Sequence, residues 1–248
     1  MIFLLLRSHI YNILSYFFSG IVLIVGFPIV LIKPSCTGDI IFFWSKIMNL
    51  LMEWVVGVRY QIKGNSALPK ECIVACKHQS AWETILAFTI FKNCKGVAKE
   101  ELLKIPVYGF YVRKWGIVVS RSGGVKALKK LVSDCKKNLK EWNSIFIFPE
   151  GTRTHPGEKG EYQSGIAALY SSLGVPVVPV ALNSGWFFPK RKILKYPGMI
   201  TVQFLDPIEP GLSRKNFMNK LEASIESACI ELDEDAKKQL GKFNKEEK

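Results

Sequence analysis

Hydrophobic positions along the chain fall into two regimes. Residues 10–32 contain no charged side chain, and as a helix they would reach about 35 Å, enough to cross a bilayer core. Pro28 and the polar Asn12, Ser15 and Ser19 weaken that run, and a second, less apolar stretch at 40–58 contains Lys46, Asn49 and Glu53. Three readings stay open for this pair: a spanning helix, a hairpin that dips into one leaflet, and a buried core helix. No small-residue cleavage site follows the apolar run, so removal as a signal peptide is not expected.

Beyond Gly64 the pattern becomes that of an alternating α/β domain. Apolar runs predict strands at 72–76, 116–120, 144–148, 175–182 and 199–205, the last alternating at Ile200, Val202 and Phe204. Helical spacing predicts a helix at 81–91. A second, opened by Gly123-Gly124, carries Leu128, Leu131, Val132, Cys135 and Leu139 on one side, and a third at 213–240 carries Phe217, Leu221, Ile225, Ala228 and Leu232. The expected fold is therefore α/β: a single mixed-sheet domain of at least five strands flanked by helices (59–248), preceded by an N-terminal apolar two-helix membrane-anchoring segment (1–58).

Composition sharpens this picture. A chain of 248 residues suits one such domain, and its 48% hydrophobic content with a net charge of +13 is unusual for a freely soluble enzyme. The first 60 residues carry four basic and two acidic side chains, so the basic surplus belongs to the globular part. An anionic membrane surface fits that surplus; nucleic acid would also answer to charge, but no nucleic-acid-binding signature is present and the apolar N-terminus speaks against it. Lys126, Lys129, Lys130, Lys136, Lys137 and Lys140 line the polar side of the helix after Gly124 and read either as a headgroup surface or as a solvated face. Cys36, Cys72, Cys76, Cys94, Cys135 and Cys229 form no CxxC pair, and there are three histidines. Neither a metal site nor a disulfide framework is expected, and a reducing, cytoplasm-facing location fits best.

Two clusters carry candidate chemistry, each where a strand gives way to a loop, the usual seat of function in α/β proteins. The first is Lys77-His78-Gln79-Ser80-Ala81-Trp82-Glu83. His78 can accept a proton from a hydroxyl near neutral pH if an acid fixes its tautomer, and Glu83 is the candidate acid. Against that stands a purely structural reading, since Ser80-x-x-Glu83 also matches a helix capping box. The second cluster is Phe148-Pro149-Glu150-Gly151-Thr152-Arg153, where the Arg fork suits phosphate oxygens and Gly151 permits close backbone approach.

In this order and spacing the two clusters resemble the first and third motifs of the glycerolipid acyltransferase family. The block from Lys99 through Gly109 and on to Ser120-Arg121 is similar to the second motif, and Val175-Pro176-Val177-Val178-Pro179-Val180 to the fourth. The resemblance covers roughly residues 60–210, and the N-terminal apolar pair looks like the family's anchoring helices. It implies transfer of an acyl group from acyl-CoA or acyl-carrier protein to the free hydroxyl of lysophosphatidic acid, without a cofactor or an acyl-enzyme. His78 is then the general base and Glu83 the residue that orients it. Lys99, Arg121 and Arg153 are the candidates for the acceptor phosphate, with Glu150, Gly151 and Thr152 shaping that site. A membrane-associated enzyme with its catalytic domain on the cytoplasmic face, in contact with phospholipid, follows from the same resemblance.

Two positions depart from the family pattern: Lys77 stands where the first motif usually has Asn, and Glu83 where it usually has Asp. With its extra methylene, Glu83 must fold back, or the local backbone shift, to meet His78. A hydrolase is the nearest rival chemistry, but no Gly-x-Ser-x-Gly elbow occurs and Cys76-x-His78 is not a recognised nucleophile arrangement. Related acceptors, among them glycerol-3-phosphate, other lysophospholipids and lyso-ornithine lipid, are not separated by these motifs.

Overall fold

The computed structural model describes residues 1–91, 94–120 and 123–246. Two N-terminal helices, α1 (Ile2–Ile32) and α2 (Thr37–Leu51), form a hairpin, and α2 runs on through π-helical turns at Met52–Val56. Next come β1 (Val58–Lys63), β2 (Cys72–Cys76), α3 (Trp82–Ile90), β3 (Cys94–Lys99), α4 (Tyr108–Trp115), β4 (Gly116–Val119), α5 (Gly124–Trp142) and β5 (Ser144–Ile147). The chain closes with α6 (Ser164–Leu173), β6 (Val177–Leu182), α7 (Ser184–Phe187), β7 (Gly198–Phe204) and α8 (Arg214–Glu246).

Seven strands make one mixed sheet in the order β1-β7-β6-β2-β5-β3-β4. The five predicted strands are present with ends shifted by a residue or two. β1 and β3 escaped the pattern reading: Val58-Arg-Tyr-Gln-Ile-Lys63 is an exposed edge strand, and Cys94-Lys-Gly-Val-Ala-Lys99 is half-buried with few apolar residues. The strands from β2 to β6 are mutually parallel in their pairings, while β7 runs antiparallel to β6 and parallel to β1.

All five residues of the central strand β2 are buried, as expected of a strand covered on both faces. Ile73 and Ala75 face a cluster built with Leu131 and Cys135 of α5, Ile166 of α6, and Phe217, Leu221 and Ile225 of α8. Cys72, Val74 and Cys76 face the other way, against Trp82 and Leu86 of α3 and against Met52 and Val56. Period-two alternation thus sorts one strand between two cores.

The N-terminal hairpin lies against the domain. Contacts occur along much of α1: Arg7 Nε donates to Val55 O at 2.5 Å, Ser8 Oγ accepts from Lys195 N at 3.0 Å, and Tyr111 Oη donates to Leu23 O at 3.2 Å. Phe27 packs edge-on to Phe110 at 5.1 Å. The opposite side of α1 is apolar and exposed, with Phe3, Leu6, Ile13, Phe17, Ile24 and Val25 pointing outward. In α2, Asn49 is used rather than tolerated: it accepts from the Trp82 indole at 2.8 Å and donates to Thr89 Oγ1 at 3.0 Å. Those bonds fix α3 against the hairpin.

Candidate active site

Because β2 to β6 run parallel, their carboxyl ends share one edge of the sheet, where α/β proteins gather functional loops. His78 lies two residues past β2, the Glu150–Arg153 turn follows β5, Lys99 ends β3, and Ser184 opens α7 after β6. β4 delivers its chain to the same edge, but Arg121 lies outside the described residues.

Glu83 sits in the first turn of α3, its side chain fully buried, and folds back over the loop that precedes it. Its Oε1 accepts from the backbone amides of Gln79 at 3.1 Å and Ser80 at 2.7 Å, and from the Ser184 hydroxyl in a very short bond. Its Oε2 is 3.0 Å from Ser80 N and 3.2 Å from His78 Nδ1. Ser80 Oγ in turn accepts from Trp82 N at 3.0 Å. One carboxylate therefore holds both the loop amides and the histidine. Ser80 Oγ is engaged by Trp82 N, and Ala81 is the N-cap of α3 with no side-chain cap bond, so the reciprocal capping box expected at Ser80 is not completed. The longer side chain reaches His78 by this backward fold.

A carboxylate offers only acceptors, so the proton at the His78–Glu83 contact belongs to Nδ1, and in the neutral imidazole Nε2 keeps its lone pair. The imidazole is further held by a parallel stack on Phe148, 3.7 Å between centroids and 12° between planes. With a side chain 12% exposed, His78 still meets solvent. Phe148 opens the second cluster and Ser184 lies four residues beyond Val180; neither role is visible in the sequence, because both contacts depend on strand neighbours.

The backbone of His78 is tied to the second cluster. His78 N donates to Glu150 Oε2 at 2.9 Å, and His78 O accepts from Thr154 N at 2.8 Å and Thr154 Oγ1 at 3.2 Å. Glu150 points inward, with Oε1 2.7 Å from Lys77 Nζ. Burial raises the Glu150 carboxyl above the usual range, and the Lys77 ammonium pulls it back. For Lys77, burial alone would lower the ammonium, but Glu150 and Glu226 outweigh it and hold it above the ordinary lysine value. Glu150 thus shapes the edge from beneath.

Gly151 takes φ +62°, a left-handed turn that favours glycine, and so swings Thr152 outward. Arg153 follows half-buried beside Tyr108, whose phenol is raised by burial and drawn back by that guanidinium. Its carbonyl accepts a short bond from Lys190, a cation outside the four motifs. Lys99 is half-buried on the same edge. Cys76, two residues before His78, is fully buried and its thiol is pushed well up by that burial, which disfavours a thiolate nucleophile.

This arrangement defines an α/β domain whose site is assembled from loops at the carboxyl edge of a parallel strand set, with an acid-bound histidine beside a glycine–arginine turn. The chain belongs to the acyltransferase family, whose model, described as Acyltransferase, matches residues 58–183, half of its length. It is 38% identical over 161 residues to the 1-acyl-sn-glycerol-3-phosphate acyltransferase of Pseudomonas aeruginosa, covering 64% of this chain and 63% of that one. It is 26% identical over 161 residues to the human 1-acyl-sn-glycerol-3-phosphate acyltransferase beta, covering 63% and 58%. The matches thus span less than two thirds of these relatives' length. The fold resembles the crystal structure of the 1-acyl-sn-glycerophosphate (LPA) acyltransferase PlsC from Thermotoga maritima, with TM-score 0.67, 23% identity, and coverage of 92% of this chain and 94% of that one.

Proposed function

We propose that the protein transfers a fatty acyl group from acyl-CoA or acyl-carrier protein to the free hydroxyl of 1-acyl-sn-glycerol-3-phosphate, giving phosphatidic acid. The observation that carries the reading is the His78 Nδ1–Glu83 Oε2 contact, which leaves Nε2 as a base on an edge shared with Arg153 and Lys99. The names of the related enzymes supply the acceptor.

In this mechanism Lys99, Arg121 and Arg153 hold the acceptor phosphate, and Glu150, Gly151 and Thr152 shape its site. The free hydroxyl is thereby placed at His78, so much of the acceleration comes from positioning. His78 Nε2 takes the hydroxyl proton as the oxygen attacks the thioester carbonyl. The imidazolium is stabilised by Glu83. Collapse of the tetrahedral intermediate breaks the C–S bond, and His78 returns the proton to the leaving thiolate.

Residues 1–58 serve as the anchor, with the catalytic domain on the cytoplasmic face. α1 is long and apolar enough to cross a membrane by length and composition. Its contacts with the domain at Arg7, Ser8, Leu23 and Phe27, however, favour a hairpin lying in one leaflet, because a lipid-surrounded span would forfeit them.

The test is an assay of purified full-length protein with labelled acyl-CoA and, separately, acyl-carrier protein. Acceptors are lysophosphatidic acid, glycerol-3-phosphate, lysophosphatidylcholine and lyso-ornithine lipid. Phosphatidic acid is the expected product. Label appearing as free fatty acid, or on another acceptor alone, would overturn the assignment.

A further inference from the structure

Lys77 occupies the position before the histidine, and its side chain is 1% exposed. A buried ammonium requires compensation, and here it comes from two directions. Nζ lies 2.7 Å from Glu150 Oε1 in the neighbouring loop and 2.7 Å from Glu226 Oε1 on α8, and it also donates to Glu158 O at 3.2 Å. Glu226 is 149 residues from Lys77 and beyond the segment that the family model matches.

The cluster continues on both sides of this ammonium. Tyr162 Oη donates to the same Glu226 oxygen at 2.9 Å, and Lys159 pairs with Glu222 one turn earlier on α8, so the 158–162 segment is pinned to that helix. The segment closes tightly over Glu150: a Cβ at Gly160 would lie 2.6 Å from Glu150 Oε1. On the other side, Glu150 Oε2 receives the backbone N–H of His78 at 2.9 Å. One uninterrupted chain of charge-assisted contacts therefore runs from α8 through Glu226, Lys77 and Glu150 to the peptide that carries the base.

We propose that Glu226 is a positioning residue, through which the C-terminal helix sets the backbone of His78 by way of Lys77 and Glu150. This rests on the proposed role of His78, which it extends to a residue that touches no substrate. The geometry explains why a lysine is accommodated before the histidine: α8 brings a carboxylate to meet it. Lys77 keeps Glu150 as its counter-charge when Glu226 is neutralised, so what α8 must supply is the acceptor at the position of Glu226 Oε1, and the order of substitutions is specific. Gln keeps an acceptor at that position, whereas Asp keeps the charge but falls a methylene short and Leu removes both.

The experiment measures kcat and KM for lysophosphatidate, per folded protein, in Glu226→Gln, Glu226→Asp and Glu226→Leu, with melting curves alongside. Glu226→Gln should stay within about threefold of the unaltered chain. Glu226→Asp and Glu226→Leu should lose about 10- to 100-fold in kcat, as misplacement of a reacting group does, with KM little changed. Titration of the His78 imidazole by NMR, which needs no turnover, should shift in Glu226→Asp and stay put in Glu226→Gln. Should Glu226→Leu not fold, Glu226→Asp decides by itself. Normal kcat and an unmoved His78 titration in Glu226→Asp would overturn the proposal, as would a loss in Glu226→Gln larger than in Glu226→Asp. An unaltered chain that makes no phosphatidic acid would instead sink the proposed function, leaving the NMR titration to decide the positioning role.

Discussion

His78 Nδ1 lies 3.2 Å from Glu83 Oε2, and the same carboxylate receives the backbone amides of Gln79 and Ser80. One acid therefore fixes both the tautomer of the imidazole and the loop that presents it. This double use makes Glu83 sensitive to changes that look conservative.

Glu83→Gln has a defined consequence. Oε1 faces three donors, so the amide oxygen takes that side and its NH2 turns toward His78. His78 Nδ1 must then accept, which moves the proton to Nε2 and removes the base, a tautomer fault worth about 10⁴ in hydrolase triads. The NH2 also opposes Ser80 N, costing about 1–3 kcal/mol of stability. A large fall in kcat per folded enzyme with a modest drop in melting temperature is the expected result, and near-normal kcat would remove Glu83 from the mechanism.

His78→Ala should abolish turnover while lysophosphatidate still binds, because the residues assigned to the phosphate come from other strands. Calorimetric binding combined with single-turnover assays checks this. Substantial residual turnover would defeat the general-base role.

Arg153→Lys keeps a positive charge but loses the planar fork. KM for the acceptor is expected to rise about tenfold with kcat within a few-fold. Steady-state kinetics over lysophosphatidate concentration is the measurement, and an unchanged KM excludes Arg153 from the phosphate site.

Lys195 is buried, with its ammonium donating to Lys192 O at 2.8 Å and Ile193 O at 2.9 Å, and burial lowers it to about 8. The unfolded lysine, at its ordinary 10.5, binds more protons than the folded one between these two values. Stability from this group therefore rises with pH across that window. Denaturant unfolding at pH 7.5 and pH 10 should show the unaltered chain gaining on Lys195→Met at the higher pH; a constant difference would contradict the burial of the charge.

Ile13 and Phe17 sit on the outward side of α1. Replacing both with Glu should move the protein from the membrane pellet to the supernatant without shifting its melting temperature, since neither is buried in the domain. Fractionation of the full-length chain decides, and unaltered pelleting would exclude this face as the anchor.

Strong periodicity along the chain marks most of the elements and the residues at their ends. The apolar β2, with His78 two residues beyond it, and the β5 loop carrying Arg153 were legible because a buried strand and its loop announce themselves locally. Spacing also raised both readings of Glu83. Packing decided which donors its carboxylate meets, the loop amides, His78 and Ser184, because the backward fold of a side chain is not a sequence pattern. β1 and β3 were silent, since an exposed edge strand and a half-buried, lysine-bearing one show little apolar signal. Strand order decided the rest: no local period says that β2 lies between β5 and β6, yet that order brings Glu150 under His78 and Ser184 onto Glu83. The pairing of Lys77 with Glu226 lies furthest from local reading, because a buried charge finds its partner through packing and not through proximity along the chain.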